Sequence, residues 1–362
     1  MPNPSVKNTL PVAVTMGEPA GIGTEITLKA YRFYRDLAPE SGIPFFLVDD
    51  PARVSLARRA LGIDVPVVTV SAPHEAISAF PTGLPVLPLQ GVTGKPADFA
   101  PGVPSAETAG SVIASIEEAV KLALKGDIAG IVTNPIQKEM LTRSGFGFAG
   151  HTEFLGALTE NTEIPTGLAR GPVMMLAGQS LKVAPVTIHI PLEEVAAALS
   201  TEKIVSVCRV VAESLVRDFA VADPVLAIAG VNPHAGEGGT IGSQEQEIIL
   251  PAITALKAAG VKAAGPLPAD TMFHEQARAQ YHAAITMYHD QGLIPIKTID
   301  FFGAVNVTLG LPIVRTSPDH GTGLNIAGKG LANPQSLIEA IKLAYYTHYN
   351  RTAFDNARSG KN

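Results

Sequence analysis

Residues 106–133 read AETAGSVIASIEEAVKLALKGDIAGIVT. Val112, Ile113, Ile116, Ala119, Val120 and Ala123 recur near the helical period of about 3.6 residues, which predicts a helix over Ala106–Lys125. Past Gly126 and Asp127, the apolar run Ile128–Thr133 has the length of a buried strand. Outward from this pair the alternation continues. Leu10–Thr15, Ile43–Val48 and Val65–Val70 read as strands, and Thr24–Tyr34 as a helix. Downstream, Val183–Ile190, Val225–Val231 and Ala283–Tyr288 read as strands, separated by helices at Glu193–Phe219 and Gln244–Ala259. Strand and helix in alternation predict an α/β fold with a largely parallel sheet. Pro81–Pro104, rich in Pro and Gly, reads as a long surface loop or hairpin arm, and hinges are expected near Thr133–Pro135 and Phe301–Ala304.

The chain has 362 residues, enough for two to three domains, and is 46% apolar and 17% charged, which excludes a disordered, solvating chain. A net charge of −6 gives no bulk attraction for nucleic acid or an anionic membrane. Cys208 is the single cysteine, so no internal disulfide forms and a reducing compartment is expected. Met1–Leu10 lacks the apolar core of a signal peptide, and Pro and Gly interrupt every candidate membrane span. The expectation is a cytoplasmic protein.

Three of the nine histidines follow apolar strands: His189, His234 and His289. Open α/β sheets place their ligand crevice at the carboxyl ends of strands. One such histidine is ordinarily a satisfied structural residue. Three, set in His-Ala-Gly-Glu-Gly-Gly, Tyr-His-Asp-Gln-Gly and Thr-Ile-His, suit a divalent metal with an open coordination position, zinc or cobalt before magnesium. His74, His274, His282 and His348 lack such context.

Anion binding has its own candidates. Met16-Gly-Glu-Pro-Ala-Gly-Ile-Gly23 opens a helix but is not the dinucleotide fingerprint, and Glu18 opposes a phosphate. Lys297, Asn306 and Arg315 lie among apolar residues, where cations are costly without a partner. His151 and Thr152 either donate to a phosphate or cap the helix that begins there. The Gly-rich stretch Asp319–Pro334, with Gly321 and Asn325, reads as a functional loop that closes over a flat ligand.

Taken in order, these motifs carry a resemblance. Met16-Gly-Glu-Pro-Ala-Gly-Ile-Gly, Gly150-His-Thr-Glu, Thr187-Ile-His, Asn232-Pro-His-Ala-Gly-Glu, Pro268-Ala-Asp-Thr, Tyr288-His-Asp-Gln-Gly-Leu, Val305-Asn-Val-Thr-Leu-Gly-Leu-Pro and Arg315-Thr-Ser resemble the 4-hydroxythreonine-4-phosphate dehydrogenase family of pyridoxine phosphate biosynthesis. The resemblance implies two α/β domains flanking a cleft, similar to isocitrate and isopropylmalate dehydrogenases. The expected division is residues 1–134 with 305–362 on the cofactor side, and 135–304 on the metal and dimer side. It implies metal ligands at His189, His234 and His289, shared between the subunits of a homodimer. Substrate contacts fall on His151, Thr152, Lys297, Asn306 and Arg315, and a catalytic base on Asp270 or Lys297. Gly321 and Asn325 fall on the cofactor loop. The implied cofactor is NAD; Asn325 stands where the related loop has a ribose-reading Asp, a departure that leaves NADP as the alternative. Thr24 replaces the family's usual Pro, and Gln244-Glu245 a usual Glu-Glu pair. The implied reaction is oxidation of 4-phosphohydroxy-L-threonine to 2-amino-3-oxo-4-phosphooxybutanoate, which decarboxylates to 3-amino-2-oxopropyl phosphate. Rival readings are a phosphorylated sugar acid as substrate, such as 4-phospho-D-threonate or 4-phospho-D-erythronate, a non-catalytic binding protein, and a metal-free phosphotransacetylase-like enzyme.

Overall fold

The computed structural model describes residues 9–36, 43–89, 100–165 and 167–360. Its strands are β1 (Val12–Thr15), β2 (Phe45–Val48), β3 (Val67–Thr69), β4 (Leu84–Leu87), β5 (Gly130–Thr133), β6 (Val173–Ala177), β7 (Lys182–Pro185), β8 (Val225–Ala229), β9 (Lys262–Leu267), β10 (Ala283–Thr286), β11 (Val305–Leu309) and β12 (Arg315–Pro318). The chain forms two compact units, Met1–Thr162 with Pro312–Tyr349, and Glu163–Leu311 with Asn350–Asn362. Against edges expected at residues 134/135 and 304/305, residues 135–162 belong to unit 1. There Ser144 Oγ donates to Ala106 O, and the rings of Phe146, Phe148 and Phe154 pack on one another.

Unit 1 is built on parallel strands in the order β3-β4-β2-β1-β5-β12. The helix Ala109–Lys125 follows a short 3-10 turn and buries Val112, Ile116, Ala119 and Val120, the face its periodicity predicts. Ser115 on that face accepts from Met16 N and donates to Val48 O, tying the helix to the ends of β1 and β2. The Pro81–Pro104 expectation is corrected over Leu84–Leu87, which form β4, buried and paired on both sides. Four residues flanked by Gly and Pro are too short to show a period, and burial on both faces removes any alternation. The part of that stretch at 90–99 lies outside the described residues.

Unit 2 has the order β11-β6-β7-β10-β8-β9; β6 runs antiparallel to both its neighbours, and β7, β10, β8 and β9 run parallel. Its core gathers Met174, Leu176, Leu181, Val183, Ala227, Ala284, Leu293 and Ile296. The helix expected over Glu193–Phe219 is interrupted, because Ser200 leaves the helical conformation and its Oγ accepts from Lys203 N to start a new helix, Thr201–Arg217. Cys208 lies buried in that helix, and burial pushes its thiol up to about 12. The helix expected over Gln244–Ala259 opens as a wide π turn, Glu245–Ile249, before becoming α-helical at Leu250–Ala258. Pro251 has no N–H for the ordinary bond to residue 247, which favours the wider turn there. Among the described residues no helix is long and apolar enough to cross a membrane.

The end of the long helix Gln335–Ser359 is fixed in unit 2 by charge. Arg351 Nε and Nη2 donate to the two Asp218 oxygens, both at 2.9 Å, and Nη1 donates to Leu311 O. Burial works to lower the Arg351 pKa, but the Asp218 carboxylate outweighs it and raises it. Asp218→Ala would strand a buried guanidinium, so it should cost about 3–5 kcal/mol. Urea unfolding should show the midpoint displaced accordingly, whereas a loss below about 1 kcal/mol would mean that the pair is dispensable.

Candidate active site

Strands β7, β10 and β8 lie side by side and parallel, so the chain leaves all three at one edge of the unit 2 sheet. Past β7 and β10 the backbones stay paired: Val186 N donates to Thr286 O at 2.7 Å and Thr187 Oγ1 to Met287 O at 2.7 Å. This contact sets the His189 and His289 rings 5.9 Å apart. His289 opens the helix His289–Ile299, and its Nδ1 is 2.7 Å from Asp290 Oδ1, which leaves Nε2 as the ring's outward nitrogen. Gln291 joins this segment to β8: its Oε1 accepts from Met287 N, and its Nε2 donates to Gly230 O at 2.7 Å.

His234 stands apart from that pair. Residues 234–238 form a left-handed run, with φ of 54°, 51°, 77°, 42° and 67°. Glu245, buried at 2% exposure, accepts from Val231 N and Asn232 N, both at 2.8 Å, and from Asn232 Nδ2 at 2.9 Å. Burial raises the Glu245 pKa, but these hydrogen bonds outweigh it and hold the carboxyl below its ordinary range. His234 and Asp270 line one cavity of about 610 Å³ with Asn232, Tyr288 and Gln291. His289, Asp290 and Lys297 line a second, of about 390 Å³, with Phe301. Asn306 lies on β11, paired with Leu176. Among the described residues, no three His, Cys, Asp or Glu side chains of one chain gather as a metal-binding group. Of the three imidazoles expected to converge, the chain brings two together, those of His189 and His289.

Unit 1 holds a separate, cationic cluster. Arg315 on β12 is 3% exposed, and its Nη2 donates to Thr133 Oγ1 at 2.7 Å. Burial lowers its pKa to about 10, opposed by the Asp319 and Glu153 carboxylates, so it stays charged at neutral pH. Gly150 precedes the helix His151–Leu158, and neither His151 nor Thr152 caps it. That removes the capping alternative. His151 has its pKa pushed well below the ordinary imidazole value, first by burial and then by the Arg315 and Lys138 charges. Its Nε2 is buried without a hydrogen-bond partner. A neutral imidazole among cations is suited to donate to an anion rather than to compete with it. Lys138 was not among the expected residues, and Glu153 and Asp319 stood in the quoted stretches without an assigned role; folding brings Lys138 to His151 and Glu153 to Arg315.

Gly321 and Asn325 are both exposed within Asp319–Pro334, Asn325 on a turn. This stretch is anchored within unit 1: Ile22 N donates to Thr322 O at 2.9 Å, and Lys29 Nζ to Gly330 O and Ala332 O at 2.9 and 2.7 Å. Glu25 Oε1 accepts from Ala332 N and from Lys29. The turn at residues 16–23 thus supports the loop, and Glu18 folds back to accept from Ala20 N.

A model of the family "Pyridoxal phosphate biosynthetic protein PdxA" matches residues 44–344. A Caulobacter vibrioides protein named 4-hydroxythreonine-4-phosphate dehydrogenase is 50% identical over 334 residues, covering 92% of this chain and 96% of the relative. A Methylorubrum populi protein of the same name is 48% identical over 337 residues, covering 92% and 93%. The crystal structure of 4-hydroxythreonine-4-phosphate dehydrogenase from Klebsiella pneumoniae superposes with a TM-score of 0.79 at 36% identity, covering 94% of this chain and 100% of that one. With motifs, fold and relatives in agreement, the chain belongs to the PdxA family of pyridoxal phosphate biosynthetic proteins.

Proposed function

We propose that the protein oxidises the secondary alcohol of 4-phosphohydroxy-L-threonine with NAD, and that the resulting β-keto acid loses carbon dioxide to give 3-amino-2-oxopropyl phosphate. Family membership is the observation that carries this reading. The reading assigns His151, Thr152 and Arg315 to the substrate's anionic groups, together with Lys297 and Asn306. The buried, unpartnered Nε2 of His151 beside the Arg315 charge supports that assignment. A neutral donor and a planar guanidinium hold an anion in one orientation, which contributes to rate through positioning.

His189, His234 and His289 would hold a divalent metal, zinc or cobalt before magnesium, and Gly321 and Asn325 would contact the nicotinamide cofactor. The donor set fits: the paired rings of His189 and His289, and the Asp290 carboxylate on His289 Nδ1, match a ligand imidazole and the partner that orients it. A bound divalent cation supplies Lewis acidity at the substrate hydroxyl, and the nicotinamide supplies the hydride acceptor. The hydroxyl proton passes to Asp270 or Lys297; Asp270 shares the His234 cavity, and Lys297 shares that of His289. A homodimer would complete the metal site. Exposed Leu192, Ile294 and Phe301, at 72%, 64% and 64%, near His189 and His289 support a subunit contact there.

His234→Ala should abolish both stoichiometric zinc binding and NADH formation, measured by metal analysis and absorbance; wild-type turnover in that variant would refute the site. Arg315→Ala should lower kcat/KM roughly 10–100-fold, the worth of one to two charge-assisted hydrogen bonds. Parallel kinetics with 4-phosphohydroxy-L-threonine and 4-phospho-D-erythronate decide between the amino-acid and sugar-acid substrates. His151 adds a pH effect. Its folded-state pKa is depressed, so the unfolded chain takes up the proton first as pH falls through about 6.5, and folding stability declines with acidification there. His151→Gln should flatten the fall in stability measured between about pH 7 and 5. An unchanged slope would show that the ring is solvated.

A further inference from the structure

We propose that Glu245 is a positioning residue that aims His234, an inference that rests on the reading of His234 as a metal ligand. Left-handed backbone is disfavoured for an L-residue, and His234, Ala235 and Glu237 all adopt it within four residues. Such a run persists only where its surroundings over-determine it. Here Ala235 N donates to Asn232 O, Ile241 N to Gly236 O and Gln246 Nε2 to Gly238 O, and one buried carboxylate fixes the approach to the run. Both N–H groups on the approach to the turn, Val231 N and Asn232 N, donate to Glu245 Oε1. The Asn232 amide is fixed twice, Nδ2 donating to Glu245 Oε2 at 2.9 Å and to Gln244 Oε1 at 2.8 Å.

Three glycines show how closely the turn is wrapped around this carboxylate. A Cβ on Gly236 would lie 2.6 Å from Glu245 Oε2. On Gly230 it would lie 2.8 Å from Ala235 Cα and 3.1 Å from Glu245 Oε1, and on Gly242 2.5 Å from Asn232 Nδ2. Glu245 itself sits at the head of the wide turn Glu245–Ile249. Its side chain is spent on backbone and amide donors, so its part in the site is to fix where the His234 backbone runs. Of the pair at 244 and 245, Glu245 alone is acidic, which concentrates that task on one residue.

The test uses the full chain stripped of metal. Zinc affinity is measured by competition with a chromophoric chelator, beside the Tm of the metal-free protein and kcat at saturating zinc. Glu245→Ala, which removes both acceptor oxygens and the three hydrogen bonds they receive, and Gly236→Ala, whose methyl displaces the same carboxylate from the other side, should each weaken zinc binding about 10–100-fold. Saturating zinc should return kcat to within a few-fold of wild type, a recovery that general destabilisation would not give. Unchanged zinc affinity in folded Glu245→Ala, with His234→Ala still metal-free, overturns the positioning role and leaves the metal reading standing. Wild-type zinc affinity in His234→Ala overturns the metal reading itself. If Glu245→Ala does not fold, Gly236→Ala decides: a folded variant with unchanged affinity overturns the proposal.

Discussion

Parallel pairing of β7, β10 and β8 is the constraint on which the unit 2 chemistry depends. Because the three strands run the same way, their carboxyl ends share an edge, and His189, His289 and His234 all emerge there. Beyond the strand ends the ordering is polar. Thr187 and Gln291 carry hydrogen bonds from one segment to the next, and Glu245 governs the third. Each is worth only about 0.5–1.5 kcal/mol net in an ordinary setting. Their larger effect is geometric, since they fix where the histidine-bearing segments run beyond the strand ends.

Unit 1 solves a different problem. Arg315 and His151 are both withdrawn from water, and the two respond oppositely. The guanidinium keeps its charge at neutral pH with Asp319 and Glu153 opposing the effect of burial, whereas the imidazole gives its charge up. A charged imidazole beside the guanidinium would have added repulsion in a low-dielectric setting, where unit charges interact far more strongly than in water. Keeping His151 neutral leaves a donor without that penalty.

Local sequence revealed what local forces decide. The stripe Val112–Ile116–Ala119–Val120 is buried as its spacing requires, and each strand-end histidine follows an apolar run long enough to read. What stayed hidden depends on distant partners. β4 is defined by the strands on either side of it, not by a period of its own. Lys138 reaches His151, and Glu153 reaches Arg315, only after folding. Glu245 drew notice only as part of Gln244-Glu245, a departure from a usual Glu-Glu pair, whereas folding buries its carboxylate on Val231 N and Asn232 N. Thr24, noted as a departure from the family's Pro, has a visible reason: its Oγ1 accepts from Arg53 Nη2 at 2.9 Å, beside the buried Arg53–Asp49 ion pair. A proline has no side-chain acceptor to offer there.

The withdrawal of Cys208 into the helix Thr201–Arg217 has a practical corollary. Reagents that attack sulfur need the thiolate, and a thiol pushed up to about 12 and sealed from solvent presents almost none at neutral pH. A fluorophore or spin label attached through a newly introduced surface cysteine would therefore report from that position alone, with the native sulfhydryl silent while the fold is intact.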